Sequence, residues 1–108
     1  MKTVKYYNRF ETLNDKDELH SFDNKPAVEW FSGGKEWYKE GKLHRIDGHA
    51  SEDSSGSEFW YKEDKRHRLD GPAIEYSSGE KYWYYEGKRI KCSSTEEFLR
   101  IINLKTFW

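Results

Sequence analysis

The sequence predicts a mostly β protein: a meandering, twisted antiparallel sheet of about eight strands, made of four two-stranded repeats of 23 residues and closed by one C-terminal α-helix. Three observations predict it. Many residue types recur at one interval, each interval contains two turn signals, and the spacing of apolar residues becomes helical only after residue 91.

The interval is read directly. Ala27, Ala50 and Ala73 are 23 apart, as are Glu29, Glu52 and Glu75, then Gly33, Gly56 and Gly79, then Trp37, Trp60 and Trp83 with Tyr38, Tyr61 and Tyr84 behind them. His44-Arg45 returns as His67-Arg68, and an HRxDG pentad spans 44–48 and 67–71. A fixed period of this length marks a repeat architecture in which each copy is one supersecondary unit stacked on its neighbour. The whole chain, 1–108, is therefore one domain, with a degenerate copy over 3–23 and copies over about 24–46, 47–69 and 70–91.

The first copy aligns with the second by a shift of 24, which lays Val4 on Val28, Leu13 on Trp37 and His20 on His44. The extra residue falls in the turn Asn24-Lys25-Pro26. A worn first copy is the expected form of an end cap, because its outer side has no neighbour to match. In the later copies, Ser-Gly-Gly (32–34) or Ser-Ser-Gly (54–56, 77–79) supplies a hairpin loop with glycine at positive φ. Glu40-Gly41, Glu63-Asp64 and Glu86-Gly87 mark the second reversal. What remains is a short strand (35–39, 58–62, 81–85) and a long one, from Lys42 to about Asp53 and from Lys65 to Tyr76. Asp47-Gly48 and Asp70-Gly71-Pro72 interrupt the long strand, and a bulge or bend is expected there. Neighbouring residues of a strand point to opposite faces, so adjacent Trp and Tyr put an aromatic row on each.

After the last copy, Ser94 with Glu97 three residues on has the form of a capping box, and Phe98, Ile101 and Ile102 follow at helical spacing. A helix over about 94–105 is expected to cover a face or an end of the sheet, together with Phe107 and Trp108.

Composition narrows the function classes. Hydrophobic residues are 34%, and the deficit is aliphatic, since aromatics supply 18%. Burial must then come from Trp, Tyr and Phe faces, which suits a thin sheet. A net charge of −1 gives no long-range attraction to nucleic acid or acidic membrane, and the basic run at 62–68 carries its own Glu63 and Asp64. Cys92 is the single cysteine, and no apolar run approaches the ~18 residues of a membrane span. The N-terminal residues lack a signal-peptide apolar core, so a cytoplasmic location is expected, in the protein's own cell or in a host it enters.

Trp37 to Gly56 can be written W-x-x-x-G-K-x-H-x-x-x-G-x-A-x-x-x-x-x-G, and this resembles the MORN repeat. HRLDGPAIEY (67–76) is similar to a divergent branch of that family found in bacterial, phage and large-virus proteins. The likeness covers about 24–91 well and 3–23 weakly, and departs from the family where Arg45 and Arg68 replace Gly. It implies a meandering antiparallel sheet used for protein contact or self-association.

The repeated polar residues read as scaffold. Equivalent histidines lie two strands apart, ~9.6 Å from a ~4.8 Å strand spacing, too far to share a metal bound at ~2.0–2.1 Å. His44, His67, Asp47, Asp70, Gly56, Gly79 and the Trp37, Trp60, Trp83 row are thus structural positions, with Arg and Asp expected to pair across neighbouring strands. No nucleophile, base and orienting group stand apart from the repeat, and no phosphate loop occurs, so no enzyme, metal or cofactor is expected. The candidate contact residues for another protein, a host factor or a second copy of the chain, are Tyr38, Tyr61, Tyr84, Tyr82 and Tyr85 with Arg45 and Arg68, because Tyr and Arg are enriched where binding energy concentrates. The alternative is a nucleotide or sugar stacked on Tyr and Trp with the same arginines as anion contacts.

Overall fold

A computed structural model describes residues 1–104 of the protein. The strands, in chain order, are β1 (Lys2–Lys5), β2 (Arg9–Leu13), β3 (Val28–Trp30), β4 (Lys35–Glu36), β5 (Tyr38–Lys39), β6 (Lys42–Leu43), β7 (Ser51–Glu52), β8 (Glu58–Phe59), β9 (Tyr61–Lys62), β10 (Lys65–Arg66), β11 (Ile74–Glu75), β12 (Lys81–Tyr85) and β13 (Lys88–Ile90), followed by helix α1 (Thr95–Leu104). All pairings are antiparallel. The fold class is the expected one, a mostly β meander with one C-terminal helix. The meander is elongated: 45 × 30 × 18 Å, with a radius of gyration of 15.3 Å against roughly 13 Å for an ordinary domain of about 100 residues. No helix among the described residues is long and apolar enough to cross a membrane.

The last short strand is present as expected, 81–85 being the unbroken β12, but the strands from 35 to 53 and from 58 to 76 differ from the expected short-plus-long pairs. The main sheet has nine strands in the order β1-β2-β3-β4-β7-β8-β11-β12-β13, while β5-β6 and β9-β10 form separate hairpins. The reason lies at the tryptophans, where the chain changes partners. Trp37 N–H donates to Ala50 C=O of the following strand, but Trp37 C=O accepts from His44 N–H of its own returning strand; Trp60 does the same with Ala73 and His67. Above each Trp the chain pairs with the next copy, and below it with itself. The long strand likewise divides, because the HRxDG segment is a loop joining β6 to β7 and β10 to β11, not a bulge within one strand.

Both predicted turns are present. Gly33, Gly56 and Gly79 have φ of 115°, 94° and 99° in the first row of hairpins. In the second row Glu40-Gly41, Glu63-Asp64 and Glu86-Gly87 are all at positive φ, the two-residue geometry that matches the twist of hairpin strands. Asp64 takes the glycine position, and its carboxylate accepts the Leu43 N–H at 2.7 Å. The alanines of the period form a buried spine, with Ala27, Ala50 and Ala73 at 1%, 0% and 0% exposure. Each donates its N–H to the strand on one side and accepts at its C=O from the strand on the other.

Helix α1 closes the sheet at its C-terminal end. Phe98 and Ile102 pack with Trp83 and Ile90, and Tyr85, Cys92 and Ile101 border that cluster. Ser94 Oγ accepts the Glu97 N–H at 3.1 Å, as an N-cap should. The reciprocal arm is shifted by one residue: Glu97 Oε1 accepts from Ser93 N–H at 2.8 Å instead of from Ser94. The Trp83 indole donates to Thr95 Oγ1, fixing the helix start to the last hairpin. Phe107 and Trp108, and the expected helix end at 105, lie outside the described residues.

Candidate functional site

The HRxDG loops are organised around their arginines. Arg45 Cζ lies 4.0 Å from the Trp37 ring centroid and Arg68 Cζ 3.8 Å from that of Trp60. From there Arg45 donates to His49 C=O and Asn24 Oδ1, and Arg68 donates to Pro72 C=O, Asp70 Oδ1 and Glu75 Oε1. The loop thus wraps its own guanidinium against its own Trp. Gly48 and Gly71 leave room for this arrangement, since a Cβ there would stand 3.0 and 2.8 Å from the guanidinium carbon and push it aside. Both arginine side chains are only 18% exposed. Arg45 and Arg68 therefore brace their loops while still lining the grooves between them, and one expectation is corrected: their pairing with Asp47 and Asp70 stays within one loop and does not cross to a neighbouring strand.

The repeat histidines tie one copy to the next. His20, His44 and His67 each accept at Nδ1 the backbone N–H of the glutamate in the following turn, Glu40 at 3.1 Å, Glu63 at 3.2 Å and Glu86 at 2.9 Å. Beside each tie, the next turn residue (Gly41, Asp64 or Gly87) donates to the carbonyl of Leu19, Leu43 or Arg66. Two backbone donors at a hairpin tip, which water would otherwise satisfy, join successive second-row hairpins that have no ladder between them. His20 makes from 3–23 the same bond that His44 and His67 make from the later segments. Burial, followed by the positive charge of Lys39 for His44 and of Lys62 for His67, holds both imidazoles below their ordinary pKa, as suits a ring that must keep Nδ1 free to accept.

With arginines and histidines engaged, the loops stand as ridges with grooves between them. One groove of about 440 Å³ is walled by His20, Ser21 and Asn24 on one side and His44 to Asp47 on the other, over Trp37, Tyr38 and Lys39. The next, also about 440 Å³, lies between His44 to Asp47 and His67 to Asp70, over Trp60, Tyr61 and Lys62. The two share the wall 44–47. At the crest of each ridge the variable residue of HRxDG is apolar and exposed, Ile46 at 88% and Leu69 at 50%. These crests were not singled out from the sequence, because the pentad reads as a polar motif and its third position carries no recurring residue.

The expected tyrosine strip does not form as one surface. Tyr38 and Tyr61 line the grooves. Tyr82 instead joins Tyr76 and Phe59 in an edge-on aromatic chain, with centroids 5.9 Å apart at each step, and Arg89 lies 4.6 Å from its centroid. Tyr84 sits beneath Arg66 at 5.4 Å, and Tyr85 turns toward the helix cluster and stacks edge-on with His67. Tyr38 is half-buried, and burial with the adjacent Glu36 carboxylate pushes its phenol up to about 12. Of the structural positions, Trp37 and Trp83 are buried as expected, while the Trp60 indole N–H is enclosed with no hydrogen-bond partner among the described residues.

Among the described residues, the group with metal-ligand proximity is not the repeat histidines but His49, Glu52 and Glu58, whose ligand atoms lie within 4.8 Å of one another. His49 Nε2 and Glu52 Oε1 are 2.7 Å apart, and His49 Nδ1 is 3.7 Å from Glu58 Oε1.

Comparison of the chain with protein-family models, with curated proteins and with solved structures gives no match.

Proposed function

We propose that the chain is a non-enzymatic protein-binding module, MORN-like in its repeat, that works in the cytoplasm and seats a segment of another protein across the ridges at 44–47 and 67–70. One observation carries this reading: two equivalent grooves side by side, each floored by a Trp-Tyr-Lys segment and crested by an exposed aliphatic side chain, Ile46 or Leu69. Single exposed apolar residues are ordinary on protein surfaces. Their return at the same ridge position in successive copies, beside aromatic floors, is what a partner with a repeated apolar contact would use. The absence of a large net charge fits recognition by shape and apolar contact over electrostatic capture.

Activity as an inhibitor or adaptor acting on a host protein, in the manner of phage and viral proteins, is the form of this function that the MORN-like resemblance suggests. The small-ligand alternative has less support, because the arginines that would bind an anion are already bonded within their loops.

The test is capture from native host extract with the double variant Ile46→Glu and Leu69→Glu, beside Tyr61→Ala with Tyr84→Ala. Both crest positions are exposed, so the melting temperature should hold while capture is lost in the first pair. Tyr61 lines a groove and Tyr84 does not, so the second pair should weaken capture only through Tyr61. Undiminished capture by the crest variant, with its fold intact, would remove the ridge face from the interaction.

A further inference from the structure

The second full copy departs from its siblings at two positions that meet in space. Where the others have Pro26 and Pro72, it has His49; where they have Lys35 and Lys81, it has Glu58. The strand register makes the second change costly. Across the sheet Glu29 faces Lys35, Lys35 faces Glu52, Glu52 faces Glu58, Glu58 faces Glu75, and Glu75 faces Lys81. The row alternates in sign at both ends and places three carboxylates in succession at its centre, although like charges directly opposite in an antiparallel pair are destabilising. Arg68 compensates Glu75 at 3.1 Å. Glu52 has Lys35 on one side, and between Glu52 and Glu58 stands the imidazole of His49.

We propose that His49, Glu52 and Glu58 bind one divalent first-row transition ion of the zinc class. One ring nitrogen and one oxygen from each carboxylate supply three ligands, and water completes the shell. The donor set selects the ion class: imidazole favours zinc-like ions over calcium or magnesium, which take oxygen ligands. The imidazole binds neutral, with its ring proton on the nitrogen away from the ion. The site is partly shielded from water. The His49 ring stands edge-on between Trp37 and Trp60, at centroid distances of 5.6 and 6.4 Å, and the three side chains are 19%, 29% and 40% exposed. Glu52 and Glu58 are held on paired strands, so their carboxylates are presented together before any ion arrives.

The experiment is titration calorimetry of chelator-treated full-length protein with zinc chloride alone, paired with thermal melts and with quenching of tryptophan fluorescence by cobalt(II). The wild type should bind one zinc per chain, melt at a higher temperature with zinc, and be quenched saturably by cobalt through Trp37 and Trp60. Glu58→Lys restores the sibling residue and an alternating charge row, so it should fold at least as stably as the zinc-free wild type and lose all three responses. His49→Gln provides the independent check and should lose them too. No saturable binding by the wild type would overturn the site, as would binding retained in both variants, which would place the ion on other residues.

Discussion

Replacing Gly71 with alanine puts the loop architecture to a quantitative test. The three atoms nearest the new methyl group would all belong to the Arg68 guanidinium, at 2.8, 3.0 and 3.1 Å. The end of a long side chain normally moves aside at little cost, but this one is held from several directions. To make room it must leave the Trp60 face at 3.8 Å and its bonds to Pro72 C=O and Glu75, both at 3.1 Å. A partly desolvated cation–π contact is worth ~0.5–2 kcal/mol and a hydrogen bond from a charged donor ~1.5–3 kcal/mol, while the pair with exposed Asp70 adds little. Partial relaxation brings the expected loss to roughly 2–3 kcal/mol, and at ~4–8 °C per kcal/mol for a small domain the melting temperature should fall by roughly 10–20 °C. The assay is thermal and urea unfolding of Gly71→Ala in wild-type and Arg68→Ala backgrounds. With Arg68 absent the three closest contacts of the methyl group are gone, so the second cost should shrink below about 0.5 kcal/mol. Equal costs in the two backgrounds would refute the reasoning.

The histidine ties predict a pH dependence. His44 and His67 have lowered pKa values when folded, so the unfolded chain takes up protons first; stability is complete above the ordinary value of 6.5 and is lost as pH falls from there through the lowered folded values. His67→Asn keeps an acceptor for the Glu86 N–H but does not titrate, and thermal melts between pH 7 and pH 5 should show a smaller loss than in the wild type; an unchanged pH slope would exclude His67 as a contributor. The alanine spine predicts intolerance to volume: Ala50→Leu at a fully buried position should cost ~1–3 kcal/mol by overpacking, read as a lower urea midpoint, and a neutral result would mean that the sheet is less tightly joined there than its burial indicates.

The period, the two rows of turns and the closing helix were legible in the sequence because each depends on local chemistry: glycine or Glu-Gly at positive φ, a serine N-cap, apolar residues at helical spacing. The division of the short strands at Trp37 and Trp60 was not, because it depends on these residues exchanging backbone partners with copies not yet folded against them, and the division of the long strands was not, because it depends on HRxDG closing into a loop around its arginine. The arginine contacts were hidden for a related reason. A guanidinium reaches far enough to fold back onto its own loop or outward to a partner, and only the Gly48 and Gly71 contacts decide between these. The acceptor role of the histidines toward a turn one copy later has no signature in spacing alone. His49 and Glu58 could have been found earlier by asking where a copy breaks the pattern, since they stand at positions held elsewhere by proline and lysine.

The ridge face is tested most directly by installing a photoreactive phenylalanine analogue singly at Ile46, at Leu69 and at Phe31, which is exposed in the turn between β3 and β4, and irradiating each with the captured partner. The proposed function predicts cross-links from positions 46 and 69 and none from 31. Cross-linking from 31 with silence at both crests would contradict it.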